Sequence, residues 1–92
     1  MQYMVIERFR NGDPIPTYRR LRDQGRLMPD GLAYVSSWIT EDLTVCYQVM
    51  ETADPALFEL WMAEWKDLIE FELFPVLTST QVRAQIAPRL GP

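Results

Sequence analysis

The chain has 92 residues, of which 48% are hydrophobic and 24% are charged, so it can form one small domain. Thirteen acids against nine bases give a net charge of −4, which disfavours non-specific binding to nucleic acid or to an anionic membrane. The lack of histidine excludes Ser-His-Asp and Cys-His catalysis and every zinc or haem site that needs imidazole. With one cysteine there is no intrachain disulfide, and we expect neither a metal nor a cofactor.

The N-terminal segment does not have the pattern of a membrane or export signal. Glu7 interrupts its apolar run, and neither a basic region nor a small-residue cleavage site follows. No segment approaches the roughly 18–20 apolar residues that a membrane span needs. We therefore expect a cytoplasmic protein that contacts no membrane, folded as a single domain over residues 1–92.

The first half of the chain predicts a strand, a helix and a second strand. Residues 4–9 are β-branched and aromatic, which favours a strand. Asp13 and Pro14 are typical of a helix start, and the helix is predicted over residues 15–24, with Gly25 suited to its end. After the turn at Pro29-Asp30-Gly31, residues 32–39 predict the next strand.

The second half repeats this pattern after a hairpin. Residues 40–42 form a short polar break before a strand over 43–50. Asp54-Pro55 repeats the helix-start signal, and the helix is predicted over residues 56–68. Its apolar stripe, which we expect to pack on the sheet, consists of Leu57, Trp61, Trp65 and Leu68. A strand over 69–77 and a short helix over about 79–87 complete the chain.

The resulting order, β-α-β-β-α-β, is that of a ferredoxin-like α+β fold. Right-handed crossovers then place both helices on one face of a four-stranded antiparallel sheet, with spatial strand order 4-1-3-2. The face without helices should be polar if it meets water.

The sequence does not predict a polar open face. If Glu41 and Asp42 form a two-residue turn, Trp38 pairs with Val45, Ser36 with Tyr47 and Tyr34 with Val49 on one face. That face and the opposite one are both largely apolar, and a monomer seldom exposes such a patch. We therefore predict a homodimer in which two sheets pack face to face as a dimeric α/β barrel.

Several segments resemble a small bacterial family, the domain of unknown function numbered 3303. They are YMVIERF at 3–9, GDP at 12–14, GRLMPDGL at 25–32, YVSSW at 34–38 and CYQVME at 46–51. The resemblance extends through Trp61 and Trp65 to the last strand, so it covers nearly the whole chain. The family label carries no activity.

The family is in turn similar to the dimeric α/β-barrel superfamily. This resemblance implies a range of activities: cofactor-free monooxygenases, haem-degrading enzymes, dehydratases and muconolactone-type isomerases, as well as members without known activity. The haem-binding members typically use histidine, which this chain lacks.

Glu7 is the main candidate for an acid-base or ligand-anchoring residue. It stands among apolar residues in the strand predicted to be central in the sheet, where burial would raise its pKa. The alternative is a structural ion pair with Arg8 or Arg10 of a partner chain.

Five further residues are candidates for ligand binding. Tyr34 and Trp38, together with Tyr47, could line a site for a flat apolar ligand or pack in a dimer interface. Gln48 must find hydrogen-bond partners if buried, and Ser37 could supply one. Cys46 is interpreted either as a buried small apolar residue or as part of the same site.

The densest cluster of charge is formed by four arginines: Arg19, Arg20, Arg22 and Arg26. Such a cluster can bind phosphate or carboxylate, or it can be a solvated helix face. Both interpretations stay open.

These features predict a cytoplasmic homodimer that binds a small apolar or aromatic ligand in the barrel lumen. Two alternatives remain: a cofactor-free enzyme of the monooxygenase or isomerase kind, and a structural or regulatory dimer without a ligand. The sequence leaves open whether the protein is an enzyme.

Overall fold

The computed structural model describes all 92 residues. In chain order its elements are β1 (Gln2–Phe9), α1 (Ile15–Gln24), β2 (Ala33–Ile39), β3 (Val45–Glu51), α2 (Leu57–Ala63), β4 (Ile69–Val76) and α3 (Ser79–Ile86). Short 3-10 turns follow β1 and α3, at Arg10–Gly12 and Ala87–Arg89. No helix combines the length and the apolar character needed to cross a bilayer.

The four strands form one antiparallel sheet in the order β2-β3-β1-β4. This is the predicted order 4-1-3-2 seen from the other edge, so the ferredoxin-like α+β fold is confirmed. Strand β1 lies in the interior of the sheet, between β3 and β4. Side chains of β1 are therefore flanked by neighbours on both sides, which removes them from water more fully than those of an edge strand.

Alternation along β1 separates the two faces of the sheet. Tyr3, Val5, Glu7 and Phe9 are buried, while the residues between them are more exposed. The buried set points toward the helices, because it shares one core with Phe58, Trp61 and Trp65 from the α2 segment. We call the opposite side, which carries Met4, Ile6 and Arg8 from β1, the open face.

Helix α1 has the bounds predicted from the sequence. The Asp13 carboxylate accepts a hydrogen bond from the Ile15 amide at 3.0 Å, which satisfies one of the free donors at the helix start. Gly25 ends the helix at φ 74°, a conformation that glycine adopts without steric cost.

Helix α2 ends at Ala63, five residues before the predicted end at residue 68. Beyond it the chain continues in tight turns, with the Trp65 amide bonded to the Met62 carbonyl and the Leu68 amide to the Trp65 carbonyl. These turns keep the apolar stripe directed at the sheet, so Trp61 and Trp65 are both buried, 3% and 4% exposed.

The β2–β3 hairpin differs from the prediction of a two-residue turn. Its loop runs from residue 40 to residue 44, because the Asp42 carboxylate accepts hydrogen bonds from the Thr40 hydroxyl, the Thr44 hydroxyl and the Thr44 amide. Leu43 completes the turn at φ 64°. The longer loop shifts the register, so Trp38 pairs with Tyr47 rather than with Val45.

An irregularity in β2 also changes the predicted faces. Ser36 pairs with Val49, but Tyr34 pairs with Met50, so the register shifts by one residue at Val35. Such a bulge moves the preceding side chain to the other face. Tyr34 therefore lies on the helix side of the sheet, whereas the sequence predicted it beside Trp38.

The C-terminal segment extends away from the rest of the domain. Thr78 and Gln81 form a reciprocal capping box at the start of α3. Every residue from 77 to 92 is exposed, including Val82 and Ile86. The domain core is consequently complete without this segment.

Candidate functional site

A cavity of about 220 Å³ lies between the helix side of the sheet and the segments that cover it. It is lined by Glu7, Phe9, Thr17, Tyr18, Leu21, Arg26, Ser37, Cys46, Gln48, Trp61, Trp65 and Ile69. All four strands, both covering helical segments and the α1–β2 loop contribute side chains. The lining is thus mostly apolar, with a few polar groups, as is typical of ligand sites.

Glu7 is the only carboxylate in the cavity wall. It is 6% exposed, and burial raises its pKa from 4.5 to about 7, against smaller lowering effects of the Cys46 thiol and the Arg26 guanidinium. A carboxyl group with a pKa near 7 exists in both protonation states at neutral pH, which suits proton donation and proton acceptance equally.

Cys46 pairs directly with Glu7 across β1 and β3. Burial raises the pKa of its thiol to about 12, and the negative charge and hydrogen bonding of Glu7 add to this effect. At neutral pH the residue is therefore a protonated thiol, a weak donor rather than a nucleophile.

Arg26 is held in place by its backbone as well as by its side chain. The indole N–H groups of Trp61 and Trp65 both donate to its carbonyl oxygen, at 3.1 and 3.0 Å. Its guanidinium carbon lies 3.7 Å from the centre of the Tyr34 ring, a cation–π contact. Its Nη1 also lies 3.4 Å from Oε1 of Gln48.

Two buried polar side chains of the cavity lack full hydrogen bonding within the chain. The Thr17 hydroxyl has no partner, although the residue is only 7% exposed. The amide nitrogen of Gln48 bonds only to the sulfur of Met50, at 3.1 Å, and sulfur is a weak acceptor. Because buried polar groups are normally paired, these groups are available to a bound molecule.

One family model matches the chain, over residues 1–90, and it describes a domain of unknown function, DUF3303. The chain belongs to this family. No curated protein and no solved structure gave a match. The family assignment confirms the resemblance seen in the sequence, and it assigns no activity to the site.

In this DUF3303 domain four of the six candidate residues line the same cavity: Glu7, Ser37, Cys46 and Gln48. Tyr34 lies beside it, where its ring carries Arg26 and its hydroxyl bonds to the Ser37 hydroxyl at 2.7 Å. Trp38 lies apart from them, because it is on the open face and 62% exposed.

Arg8 and Arg10, the alternative partners predicted for Glu7, bond to other carboxylates within the DUF3303 chain. Arg8 pairs with Glu72 on the open face, and Arg10 pairs with Glu70. The four-arginine cluster also divides. Arg20 forms a two-point ion pair with Asp67, Arg22 bonds to its neighbour Asp23, and Arg26 alone reaches the cavity.

Sequence reasoning missed several members of the DUF3303 cavity. The sequence places Arg26 in the four-arginine cluster and predicts only a core role for Trp61 and Trp65, whereas all three line the cavity. The four-residue spacing of the two tryptophans puts both indoles on one face of the predicted helix, a signal that could have predicted a shared acceptor. Nothing in the sequence distinguishes Thr17, since its burial results from the packing of α1 on the sheet.

Proposed function

We propose that this protein binds a small, single-ring organic molecule in the cavity between the sheet and α1, with Glu7 as its hydrogen-bonding or proton-exchanging group. The observation that carries the proposal is the buried Glu7 carboxyl, with a pKa of about 7, in the wall of a cavity of about 220 Å³. Perturbed carboxyl groups in clefts are concentrated at functional sites.

The size of the cavity supports a ligand of one ring. An apolar cavity of about 150 Å³ holds benzene, so about 220 Å³ leaves room for a ring with one or two substituents. Aromatic side chains line it, including Trp61 and Trp65. These walls suit a flat apolar ring, and the polar groups would orient its substituents.

The unpaired polar atoms support binding over simple packing. The Thr17 hydroxyl has no partner in the chain, and the Gln48 amide nitrogen has only the weak sulfur acceptor of Met50. A purely structural role would favour apolar residues at these positions, since a buried polar group without a partner destabilises the fold by about 1–3 kcal/mol.

Proton transfer on the bound molecule is the second candidate function. Glu7 favours it, because a base with a pKa near the working pH combines the correct protonation state with useful driving force. An isomerisation that moves a proton between two carbons of a ligand would need no cofactor. The Cys46 thiol, with its pKa near 12, would stay protonated during such a reaction.

We also propose that a second copy of the chain covers the open face. Trp38, Tyr47 and Phe74 lie on it and are 62%, 39% and 47% exposed. Each ring would bury substantial apolar area in a face-to-face contact, at about 25 cal/mol per Å². In such a dimer the two cavities stay on the outer, helix-covered sides of the sheets.

The binding proposal is tested with phenol as the probe. We expect added phenol to shift the indole N–H signals of Trp61 and Trp65 in an NMR titration and to leave Trp38 unchanged. Ser37→Leu places a larger branched side chain in the cavity and should weaken or abolish the shifts, whereas Ser36→Leu, its neighbour on the opposite face, should preserve them. Shifts confined to Trp38, or none at all, would overturn the proposal.

A further inference from the structure

Unlike the four arginines that form ion pairs, Arg26 has no carboxylate partner. The four ion pairs of the chain occupy Arg8, Arg10, Arg20 and Arg22. Arg26 instead contacts the Tyr34 ring and the neutral Gln48 side chain. No ion pair therefore neutralises its positive charge, and burial keeps the nearby Glu7 carboxyl largely protonated below about pH 7.

The guanidinium is also fixed in advance of binding. Trp61 and Trp65 hold the Arg26 carbonyl, and the next residue, Leu27, adopts the left-handed conformation at φ 57°. Stacking on Tyr34 then limits the side chain to one direction. A group held in this way loses little conformational freedom when it binds a partner.

Within the cavity wall, Arg26 is the only cation and Glu7 the only carboxyl group. We infer that the ligand is an organic anion, a carboxylate or an enolate on a single ring, and that Arg26 binds its oxygens. Arginine suits this role, since its planar N–H groups match two oxygens at once. The inference rests on the proposed ligand-binding function and specifies the ligand class.

Glu7 would couple this binding to pH. The groups that face it are the Cys46 thiol from β3, the Tyr18 hydroxyl from α1 and Arg26 from the α1–β2 loop. Its β4 neighbour, Phe71, carries no charge. An ionised Glu7 repels a bound anion and competes for Arg26, so anion affinity should fall as pH rises through about 7.

The test compares phenylacetate with phenylacetamide, two ligands of nearly equal shape that differ in charge. At about pH 6 Glu7 is mostly protonated. Under these conditions we expect phenylacetate to bind at least about tenfold more tightly than phenylacetamide in calorimetric titration. Arg26→Gln should remove this preference. Arg19→Gln, which changes an exposed arginine of α1 that does not line the cavity, should keep it.

Each outcome separates the inference from the function on which it rests. Equal affinity of the two ligands for the unaltered protein, or a preference that survives Arg26→Gln, would overturn the anion assignment and leave a neutral-ligand site. Binding of neither ligand and no effect of phenol would overturn both. The comparison of the two ligands uses only the unaltered protein, so it does not depend on whether a variant folds.

Discussion

Glu7 and Cys46 lie directly opposite each other on β1 and β3. Their contact lowers the pKa of one group and raises the pKa of the other. Burial raises both pKa values, but the thiol hydrogen bond then lowers the pKa of Glu7 while the carboxylate raises that of Cys46. The pair therefore titrates in a fixed order. Glu7 loses its proton first, near pH 7, and Cys46 keeps its proton under all physiological conditions.

Replacing Glu7 should change how stability depends on pH. In the unfolded chain Glu7 ionises at its ordinary pKa of 4.5, and in the folded chain at about 7. Between these values the folded state holds the extra proton, so stability falls as pH rises and is constant above about 7. By linkage the free energy of unfolding falls by about 3 kcal/mol in total across this pH range. Glu7→Gln should abolish this fall.

Urea titrations at about pH 5 and 8 provide the measurement. Glu7→Gln should be clearly more stable than the unaltered protein at the higher pH and similar to it at the lower. Glu41→Gln, at an exposed loop position, serves as the control. Its stability should fall between the two pH values as that of the unaltered protein does. An unaltered protein whose stability shows no such fall would place Glu7 in contact with water.

Cys46 should resist alkylation in the folded protein. With a pKa of about 12 its thiolate fraction at pH 8 is about 10⁻⁴, whereas an unfolded cysteine is roughly a quarter ionised. We expect iodoacetamide to react at least about 100-fold more slowly with the native chain than in urea, as followed by mass spectrometry. A native rate close to the unfolded one would show that Cys46 reaches solvent.

The two tryptophans that share the Arg26 carbonyl should be energetically coupled. Trp61→Phe and Trp65→Phe each remove one hydrogen-bond donor, which should lower the free energy of unfolding by about 1 kcal/mol. The double variant should lose more than the sum of the two single losses. Only in the double variant is the carbonyl left without either bond. Urea titration of all four proteins measures the coupling, and purely additive losses would show that the carbonyl finds water.

Removing one of these side chains altogether should have a larger effect. Trp65 is 4% exposed within the core, so Trp65→Ala should reduce the free energy of unfolding by about 3–5 kcal/mol. A loss below about 1 kcal/mol would be incompatible with this burial.

The dimer proposal predicts a concentration-dependent mass. Sedimentation equilibrium at micromolar concentration should give twice the chain mass of 10.8 kDa. Trp38→Glu places a charge on the open face and should shift the equilibrium to monomer. Leu60→Glu is the matched control, since Leu60 is 61% exposed on α2, away from that face. A monomeric unaltered protein would contradict the proposal.

The sequence predicted the order of elements because each element has a strong local signal. Asp13 and Pro14 mark the start of α1, and the apolar stripe marks the α2 segment. Register was less predictable. It depends on how the Asp42 carboxylate organises the hairpin loop and on the bulge at Val35, and neither follows from hydrophobic pattern.

The candidate site was predicted only in part, because some of its residues lie in regular strands and others in a bulge or a loop. Glu7, Cys46 and Gln48 belong to regular strands, where alternation determines the face. Tyr34 and Arg26 depend on a bulge and on a loop, whose conformations are set by tertiary contacts such as the two indole bonds. The fold therefore followed from local patterns, whereas the cation of the site did not.

The shared acceptor of Trp61 and Trp65 gives this protein a built-in optical reporter. The chain has three tryptophans, and two of them border the cavity while the third, Trp38, lies on the opposite face. In a Trp38→Phe variant all indole fluorescence would originate within the cavity wall. A molecule that enters the cavity would change the emission of these two tryptophans directly. Unlabelled compounds could therefore be screened by intrinsic fluorescence alone.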